Sequence, residues 1–382
     1  MNKKYKVCAI VGDFENRKKG LTHYIFENIN KSIFDIFYIC CPARDFGRWG
    51  SLYNKKFECF GFKTYLIPRN ALLKRMISIG RILNYEKPDM IFSAATGLEP
   101  FLLKIMKGIP WIDSIHGMPR SLNLLALRKG KIRKSGLRSS LVKFKIRNRA
   151  DYIIAVSKAV RDELIAVGIS EEKVKIIYNG VDIEYIRRRS SEEIEESHIF
   201  DRNKTILSVG RLSPEKGHKC LIDAFNIIKD RTNAKLVIIG WGPEEKYLKD
   251  SVEHYSLKDR IFFLGFKENP FKYMVKSNFL VLPSVSEAFP SVLMEAAICG
   301  LPVLATDCGG TKEILNIIGH GLLVPRQDVI KLADSMFRML NDPELSSRFL
   351  NDVFINAIRF DIKNTAYEYQ KLWLSTLNGR KV

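Results

Sequence analysis

Two basic residues follow a short apolar segment in the second half of the chain. Residues 205–209 run directly into Gly210, and Arg211 and Lys216 then fall in the same polar turn. Arginine offers a planar fork to phosphate oxygens and lysine a mobile positive charge. The two cations could neutralise a diphosphate, above all where it becomes a leaving group. On these residues alone, an exposed surface loop with two unpaired cations is an equally good interpretation.

Two carboxylates, Glu287 and Glu295, flank a predicted helix start further along the chain. The residue pattern predicts a helix over 292–299 with Ser291 as its N-cap and Gly300 at its end. The free N–H groups and the dipole at the start of that helix would form a binding site for phosphate. Carboxylates accept hydrogen bonds from vicinal hydroxyls, so one of them could reach a transferred sugar and the other a ribose.

These residues must be positioned by short strands that alternate with helical stretches. Strands that are apolar along their whole length are typical of parallel sheets buried on both faces, so we expect an α/β protein with doubly wound sheets. Ligands bind beyond the carboxyl ends of such strands. The predicted strands cover residues 6–11, 37–40, 64–67, 90–93, 111–115, 152–156, 205–209, 235–239, 261–264, 279–282, 303–305 and 321–324.

The length of 382 residues favours two domains. The polar segment 186–204 has little to bury and is predicted to be the linker between them. We therefore expect a first Rossmann-like domain over residues 1–185 and a second over 205–360. Residues 361–382 have apolar positions at helical spacing and predict a final helix.

Charge is distributed unevenly along the chain. Residues 1–150 contain 30 Lys and Arg against 10 Asp and Glu, whereas residues 151–382 contain 32 of each kind. The densest basic stretch, Arg128 to Arg149, has 10 basic residues in 22 and no acidic one. Such a stretch attracts anionic lipid headgroups, lipid-linked phosphate or nucleic acid, and it could also be a solvated surface. Its interspersed apolar residues fit an amphipathic helix on a membrane surface or ordinary core packing.

Several function classes lack support in the sequence. No zinc-finger, helix-turn-helix or aromatic RNA-binding signature accompanies the basic residues, so we expect no nucleic-acid partner. Seven scattered cysteines without a CxxC pair predict reduced thiols in a cytoplasmic protein. The absence of a long apolar window predicts no transmembrane helix. No metal site and no cofactor are expected. Five histidines share no ligand spacing and are interpreted as structural or surface residues: His23, His198, His218, His254 and His320.

The combination of motifs resembles the family 4 retaining glycosyltransferases, also called group 1, which have the GT-B fold. This fold has two Rossmann-like domains that face each other across a cleft. The motifs occur in the family's order and are His116-Gly117, Ser157-Lys158, Asn179-Gly180-Val181-Asp182, Gly210-Arg211-Leu212 with Lys216-Gly217, Gly240-Trp241-Gly242-Pro243, Phe263-Leu264-Gly265-Phe266, Ser286-Glu287-Ala288-Phe289-Pro290 with Glu295-Ala296, Gly300-Leu301-Pro302-Val303, and Gly309-Gly310 with Glu313.

The resemblance implies a role for each matching residue. Arg211 and Lys216 would bind the diphosphate of a nucleotide-sugar donor, and Glu287 would contact the transferred sugar. Glu295 would hold the ribose hydroxyls, and His116 of the first domain would close over the sugar. The backbone also takes part in this picture, through the amides of Val292 and Leu293 at the phosphate and the chain near Phe266 at the base.

Two positions depart from the family pattern. The family often has Glu-Gly where this chain has Glu287-Ala288, which is a mild change. The amino-terminal donor loop often carries Gly-Gly, whereas here a single Gly20 follows Lys18 and Lys19. Gly20 is therefore the candidate for backbone contact with the diphosphate, and the two lysines could supply compensating charge.

We therefore expect a metal-independent, retaining glycosyltransferase. It would use a nucleotide sugar, with UDP favoured over GDP, and a lipid-linked or cell-surface polysaccharide acceptor. It would work in the cytoplasm, where its basic first domain would contact the anionic inner face of the cell membrane. The alternatives are a sugar-nucleotide epimerase or phosphorylase of the same fold, and a non-catalytic basic protein that binds membrane or nucleic acid.

Overall fold

The computed structural model of the chain divides into two compact units. Unit 1 comprises residues 1–180 together with 362–382, and unit 2 comprises residues 181–361. The structure describes residues 4–11, 21–40, 56–59, 61–67, 72–94, 108–118, 147–201, 204–319, 321–342 and 356–379.

Unit 1 contains a sheet of eight strands in the order β3-β4-β2-β1-β5-β6-β7-β8, in which only the β3–β4 pair is antiparallel. Its central strands are buried along their whole length, as expected for a sheet covered on both faces. The elements are β1 (Tyr5–Val11), α1 (Leu21–Glu27), β2 (Phe34–Cys40), β3 (Lys56–Cys59), β4 (Phe62–Leu66), α2 (Leu72–Glu86), β5 (Met90–Ala94), β6 (Trp111–Ile115), β7 (Tyr152–Ala155), α3 (Lys158–Ala166), β8 (Val174–Ile176) and the final helix α11 (Ile362–Leu377).

Unit 2 contains a fully parallel sheet of six strands in the order β11-β10-β9-β12-β13-β14. From β9 the chain first adds strands on one side of the sheet and then, from β12, on the other side. The loops that follow β9 and β12 therefore lie side by side at the carboxyl ends of the strands. The elements are α4 (Ile183–Ser190), β9 (Thr205–Val209), α5 (His218–Ile228), β10 (Lys235–Ile239), α6 (Glu245–His254), β11 (Ile261–Gly265), α7 (Phe271–Met274), β12 (Phe279–Leu282), α8 (Ser291–Ile298), β13 (Val303–Asp307), α9 (Thr311–Ile318), β14 (Leu322–Pro325) and α10 (Val329–Asn341).

The predicted α/β class with doubly wound parallel sheets is confirmed, and every predicted strand falls on an observed one. The sequence patterns do not predict β3 and β8. Both strands lie at sheet edges, where continuous burial is not required. β3 alternates polar and apolar residues, and β8 has only three residues.

The predicted linker differs from the observed division of the chain. Its first residues belong to α4, whose Ile183 and Ile186 side chains are buried. Further along, Glu196 accepts hydrogen bonds from Lys267 (2.5 Å) and Tyr273 (2.8 Å). The segment therefore packs onto unit 2 instead of spanning between units. The charged residues of α4 obscure its buried face, which is formed by Ile183 and Ile186 and anchors this short helix; only Ile186 belongs to the predicted linker.

The final helix forms where it is predicted, but it packs into unit 1 and is not a separate element. Trp373 is fully buried in the unit 1 core, with ring centroids 5.4 Å from Phe26 and 5.4 Å from Phe34. Membership of a unit is therefore not continuous along the chain, because the last helix returns to unit 1 after the chain has formed unit 2.

Within the described part of the chain, every helix is too short or too polar to span a bilayer.

Candidate active site

Tight backbone contacts hold the loop after β9 against the loop after β10. Gly210 N donates to Ile239 O (3.0 Å), and Leu212 N donates to Trp241 O (3.0 Å). Gly240 has φ +148°, and a Cβ there would lie 1.8 Å from Gly210 O. Only glycine fits this approach, so the motif glycine sets the position of the loop that carries Arg211.

A second close approach joins the loops after β9 and β12. Residues Pro214–Lys216 form a 3-10 turn that ends at Gly217, whose φ is +69°. A Cβ on Gly217 would lie 2.1 Å from Pro283 O. Beside it, Val285 N donates to Glu215 O (2.8 Å). The cationic turn is therefore tied by its backbone to the segment that carries Glu287.

Lys216 and Glu287 meet at this junction. Lys216 Nζ lies 2.6 Å from Glu287 Oε1, and the same oxygen accepts a hydrogen bond from Ser284 Oγ (2.7 Å). Ser284 is fully buried, and Glu287 is only 8% exposed. Both described donors address Oε1, which leaves Oε2 as the oxygen that can accept hydrogen bonds from a ligand. Arg211 is exposed and has no ion pair among the residues that the structure describes.

The next layer fixes Ser284 itself. Thr306 Oγ1 donates to Ser284 O (2.5 Å), and Thr306 is also buried. The Glu287 carboxylate is therefore oriented through a buried serine by the end of the neighbouring strand β13. A carboxylate held in this way can address a sugar hydroxyl without first losing side-chain freedom.

Helix α8 begins directly after this loop. Its first helical residue is Ser291 and its N-cap is Pro290, so the prediction of Ser291 as N-cap was wrong by one residue. Pro290 has an extended backbone (φ −72°, ψ 111°), and no side chain forms a capping hydrogen bond at this helix start. The Leu293 amide donates to Pro290 O at 3.3 Å, whereas the Val292 amide has no acceptor among the described residues. Val292 is therefore the better placed of the two to donate to an anion.

Glu295 lies one turn inside α8. Burial raises the pKa of its carboxyl, and a hydrogen bond from Ser291 acts in the opposite direction. A ligand that donates hydrogen bonds to the carboxylate would favour its ionised form. On the other side of β9, two exposed aromatic side chains follow strands of the same sheet: Trp241 after β10 (55% exposed) and Phe266 directly after β11 (53% exposed).

The remaining candidate residues precede unit 2 in the chain. His116 follows β6 in unit 1, and Ser114 Oγ lies 3.0 Å from its Nε2. Desolvation lowers the pKa of His116 to about 4, opposed by a hydrogen bond with Asn179. Gly20, Lys18 and Lys19 lie outside the described residues, and so does the basic stretch from Arg128 up to residue 146.

Two family models cover most of the chain. The model described as "Glycosyl transferases group 1" matches residues 190–352, and the model described as "Glycosyltransferase Family 4" matches residues 45–185. The chain belongs to the group 1, family 4 glycosyltransferases.

Individual relatives agree with this membership. The glycosyltransferase is 35% identical over 215 residues to N-acetylgalactosamine-N,N'-diacetylbacillosaminyl-diphospho-undecaprenol 4-alpha-N-acetylgalactosaminyltransferase of Campylobacter jejuni. That match spans 56% of this chain and only 57% of the relative. It is 28% identical over 278 residues to N-acetyl-alpha-D-glucosaminyl L-malate synthase of Bacillus anthracis, which covers 72% of this chain and 70% of the relative.

A solved structure supports the predicted fold. The glycosyltransferase aligns with HepE of Anabaena at a TM-score of 0.76 and 20% identity, over 97% of this chain and 100% of that one. The predicted GT-B fold, with its two parallel-sheet α/β domains, is confirmed.

The sequence motifs miss Ser284, the residue that orients Glu287 in this glycosyltransferase. Ser284 has a signal in its position directly after the strand-ending Pro283, although its bond to Glu287 requires the folded loop. His218, interpreted from sequence as structural, is 1% exposed, and both its ring nitrogens lack a hydrogen-bond partner among the described residues. Burial and the nearby Lys216 charge lower its pKa to about 4.

Proposed function

We propose that this glycosyltransferase transfers a sugar from a UDP-sugar to a lipid-linked or cell-surface glycan acceptor. The reaction would retain the anomeric configuration and need no bound metal. The observation that carries the proposal is the junction at which Lys216 and Glu287 meet beside the start of α8. One cation, one oriented carboxylate and one helix N-terminus are the groups that a sugar diphosphate requires.

The proposed roles follow from charge and position. Arg211 and Lys216 would compensate the negative charge that grows on the diphosphate as it leaves, helped by the Val292 amide. The Leu293 amide would contribute only by leaving its 3.3 Å bond to Pro290 O. Glu287 would hold the transferred sugar through Oε2, and Glu295 would accept hydrogen bonds from ribose hydroxyls.

In the reaction itself the bond between the anomeric carbon and the diphosphate oxygen breaks. A bond forms between the same carbon and an acceptor oxygen on the same face of the sugar. The acceptor proton passes to the leaving diphosphate, so no separate general base is required. Lys216 already lies 2.6 Å from Glu287, which places positive charge at this junction before the donor binds.

The remaining proposed contacts rest on the family motifs. Backbone near Phe266 would read the base, and Gly20 would approach the diphosphate. His116 of unit 1 would contribute to the transfer step. The choice of UDP is supported by the form of the motif from Glu287 to Leu293, and HepE of Anabaena has been crystallised in complex with UDP and with UDP-glucose.

An acceptor that carries phosphate is supported by the basic segment over residues 1–150, in which positive charges outnumber negative ones by 30 to 10. The Campylobacter jejuni relative is named for an acceptor built on diphospho-undecaprenol. We therefore propose that the protein works at the cytoplasmic face of a membrane, where anionic lipid and the acceptor diphosphate both attract basic residues.

Calorimetric titration with UDP, GDP and ADP tests the donor. We expect UDP to bind and Lys216→Ala to weaken its binding, because the lysine charge opposes that of the diphosphate. Glu215→Gln is the matched control, since Glu215 lies in the same turn. Preference for GDP would correct the base, and no binding of any nucleoside diphosphate would contradict the proposal.

Transfer assays then test the reaction with a panel of UDP-sugars and polyprenyl-diphosphate saccharides. We expect a product only when the acceptor is present, an anomeric configuration equal to that of the donor by NMR, and the same rate in EDTA. Conversion of the donor without acceptor would indicate an epimerase. Binding to anionic vesicles without turnover would indicate a non-catalytic membrane protein.

A further inference from the structure

A chain of hydrogen bonds links the final helix of unit 1 to His116. Tyr369 Oη of α11 lies 3.0 Å from Ser114 Oγ, which in turn lies 3.0 Å from His116 Nε2. The side chain of Asn179 forms a further hydrogen bond with the imidazole. Ser114 is 0% exposed, Tyr369 1% and Asn179 9%, so water cannot readily replace these partners.

The direction of each hydrogen bond between Tyr369, Ser114 and His116 follows from the donors and acceptors available. Tyr369 Oη has no partner other than Ser114 Oγ among the described residues, so an order in which it accepted from Ser114 would leave its own buried proton unpaired. The favourable order is therefore Tyr369 to Ser114 and Ser114 to His116 Nε2. His116 Nε2 is then an acceptor, so the proton of the neutral ring lies on Nδ1. Nδ1–H is therefore the donor available for the hydrogen bond between the imidazole and the Asn179 side chain.

The helix that supplies Tyr369 is held rigidly. Trp373, one turn further along α11, is fully buried against Phe26 and Phe92, with centroid distances of 5.4 Å and 5.8 Å. Tyr369 itself packs 5.8 Å from Phe92. Packing of the aromatic rings therefore fixes the position of the Tyr369 hydroxyl.

The same helix also braces the segment that carries Asn179. Thr365 Oγ1 donates to Tyr178 O (3.0 Å). A Cβ on Gly180 would lie 2.6 Å from Thr365 Oγ1 and 2.7 Å from Ile362 Cα, so glycine is needed for this close packing. Helix α11 thus contacts the residues on both sides of Asn179 while it reaches His116 through Ser114.

We propose that Tyr369 and Ser114 are positioning residues that fix the His116 ring as the neutral Nδ1–H tautomer. With both ring nitrogens engaged inside unit 1, the imidazole acts as an oriented neutral group and not as a proton carrier. The final helix is then part of the transfer machinery. The inference rests on the proposed function only in that His116 contributes to the transfer step.

The test begins with NMR on the full-length protein labelled with 15N-histidine, without substrate, using His116→Gln to assign the signals. We expect His116 to be a single neutral tautomer protonated at Nδ1. Tyr369→Phe keeps the ring and its packing but removes the first donor, so we expect the tautomer preference to weaken. Ser114→Ala removes the direct partner of Nε2 and should weaken the preference further.

Tyr38→Phe is the matched control. It removes another buried tyrosine hydroxyl from the same core, one that lies 3.3 Å from His23 Nδ1. We expect it to change the signals of His23 and leave those of His116 as they are. An Nε2–H tautomer at His116, or a His116 spectrum that Tyr369→Phe does not alter, would overturn the proposal.

Kinetics complete the test. Loss of one neutral hydrogen bond predicts that Tyr369→Phe lowers kcat about 3-fold to 10-fold and changes the donor KM less than about 2-fold. A kcat equal to that of the parent protein would overturn the positioning role. If the parent protein shows no transfer at all, the proposed function fails, whereas the NMR result still decides the state of His116.

Discussion

The two units hold their candidate site residues by different electrostatic means. In unit 2, Glu287 is paired with the Lys216 ammonium and oriented by Ser284. In unit 1, the His116 imidazole is neutral and oriented by Ser114. Both sites use a fully buried serine to direct a larger side chain. Charge is concentrated where a diphosphate would need compensation, and neutral groups are used where only orientation is needed.

Two histidines sharpen the same comparison. His116 in unit 1 and His218 in unit 2 both have their pKa lowered to about 4 by desolvation. His116 has hydrogen-bond partners at its ring, whereas His218 has none among the described residues. Desolvation therefore lowers both pKa values. At His116 it acts against the hydrogen bond with Asn179, and at His218 it acts together with the Lys216 charge.

The largest effect is expected from the charged pair of unit 2. Glu287→Gln keeps the shape of the side chain but removes its charge, and Lys216→Ala removes the compensating cation. We expect kcat to fall at least about 100-fold in each case, because these groups act on the charge that develops during transfer. Initial rates at saturating donor would measure this. Glu215→Gln should keep the parent rate, and losses below about 3-fold in the two site variants would contradict the assignment.

A pair of glycines tests whether backbone contact builds that charged site. Gly217 and Gly265 share a left-handed backbone, with φ of +69° and +68°. An added Cβ at Gly265 meets nothing within 4 Å, whereas one at Gly217 would lie 2.1 Å from Pro283 O. We expect Gly265→Ala to lower the free energy of unfolding by about 1–2 kcal/mol, the cost of the conformation alone.

Gly217→Ala should lower the free energy of unfolding further and also weaken UDP binding, because the loops that carry Lys216 and Glu287 would be forced apart. Denaturant unfolding and calorimetry measure the two effects. Equal destabilisation by the two substitutions would show that the close approach of Gly217 to Pro283 O does not contribute to the stability of the site.

The two buried serines allow a direct comparison between units. Ser284→Ala removes a hydrogen bond to a carboxylate, and Ser114→Ala removes one to a neutral imidazole. Bonds to charged groups contribute about 1.5–3 kcal/mol and neutral ones about 0.5–1.5 kcal/mol. We therefore expect the loss in kcat to be larger for Ser284→Ala, about 10-fold to 100-fold. A larger loss for Ser114→Ala would reverse the ranking of the two sites.

The smallest effect is expected at His218, where a substitution should change how the free energy of unfolding depends on pH. Its pKa in the folded protein is about 4, below the usual 6.5, so the unfolded chain binds a proton first as the pH falls. Stability is therefore present above about pH 6.5 and is lost towards pH 4, by about 2 kcal/mol at pH 5. His218→Leu should remove this part of the pH dependence while costing little at pH 7, since no described partner is left behind.

Denaturant unfolding at pH 7 and pH 5 measures the difference. His116→Leu is the comparison, because it would remove one of the two partners of the buried Ser114 and the imidazole partner of Asn179, and it should cost stability already at pH 7. A His218→Leu variant with the acid sensitivity of the parent protein would show that this residue is not the titrating group.

Much of the donor site could be predicted from local sequence. The apolar strands, the glycine after β9 and the helix start near Ser291 are each indicated by a few neighbouring residues. The N-cap was misplaced by one residue because Pro290 and Ser291 can both begin a helix. The linker was misplaced because a run of charges obscured the buried face of α4.

The sequence by itself determined the alternation of strands and helices, the candidate cations and carboxylates, and the excess of positive charge over residues 1–150, because each is a local or additive property of the chain. Only the tertiary structure decided that Lys216 pairs with Glu287 across 71 residues and that Tyr369 reaches Ser114 across 255. Such contacts depend on which strands lie side by side and where the last helix returns. Strand order is set by the packing of the whole sheet and leaves no signature at any one position.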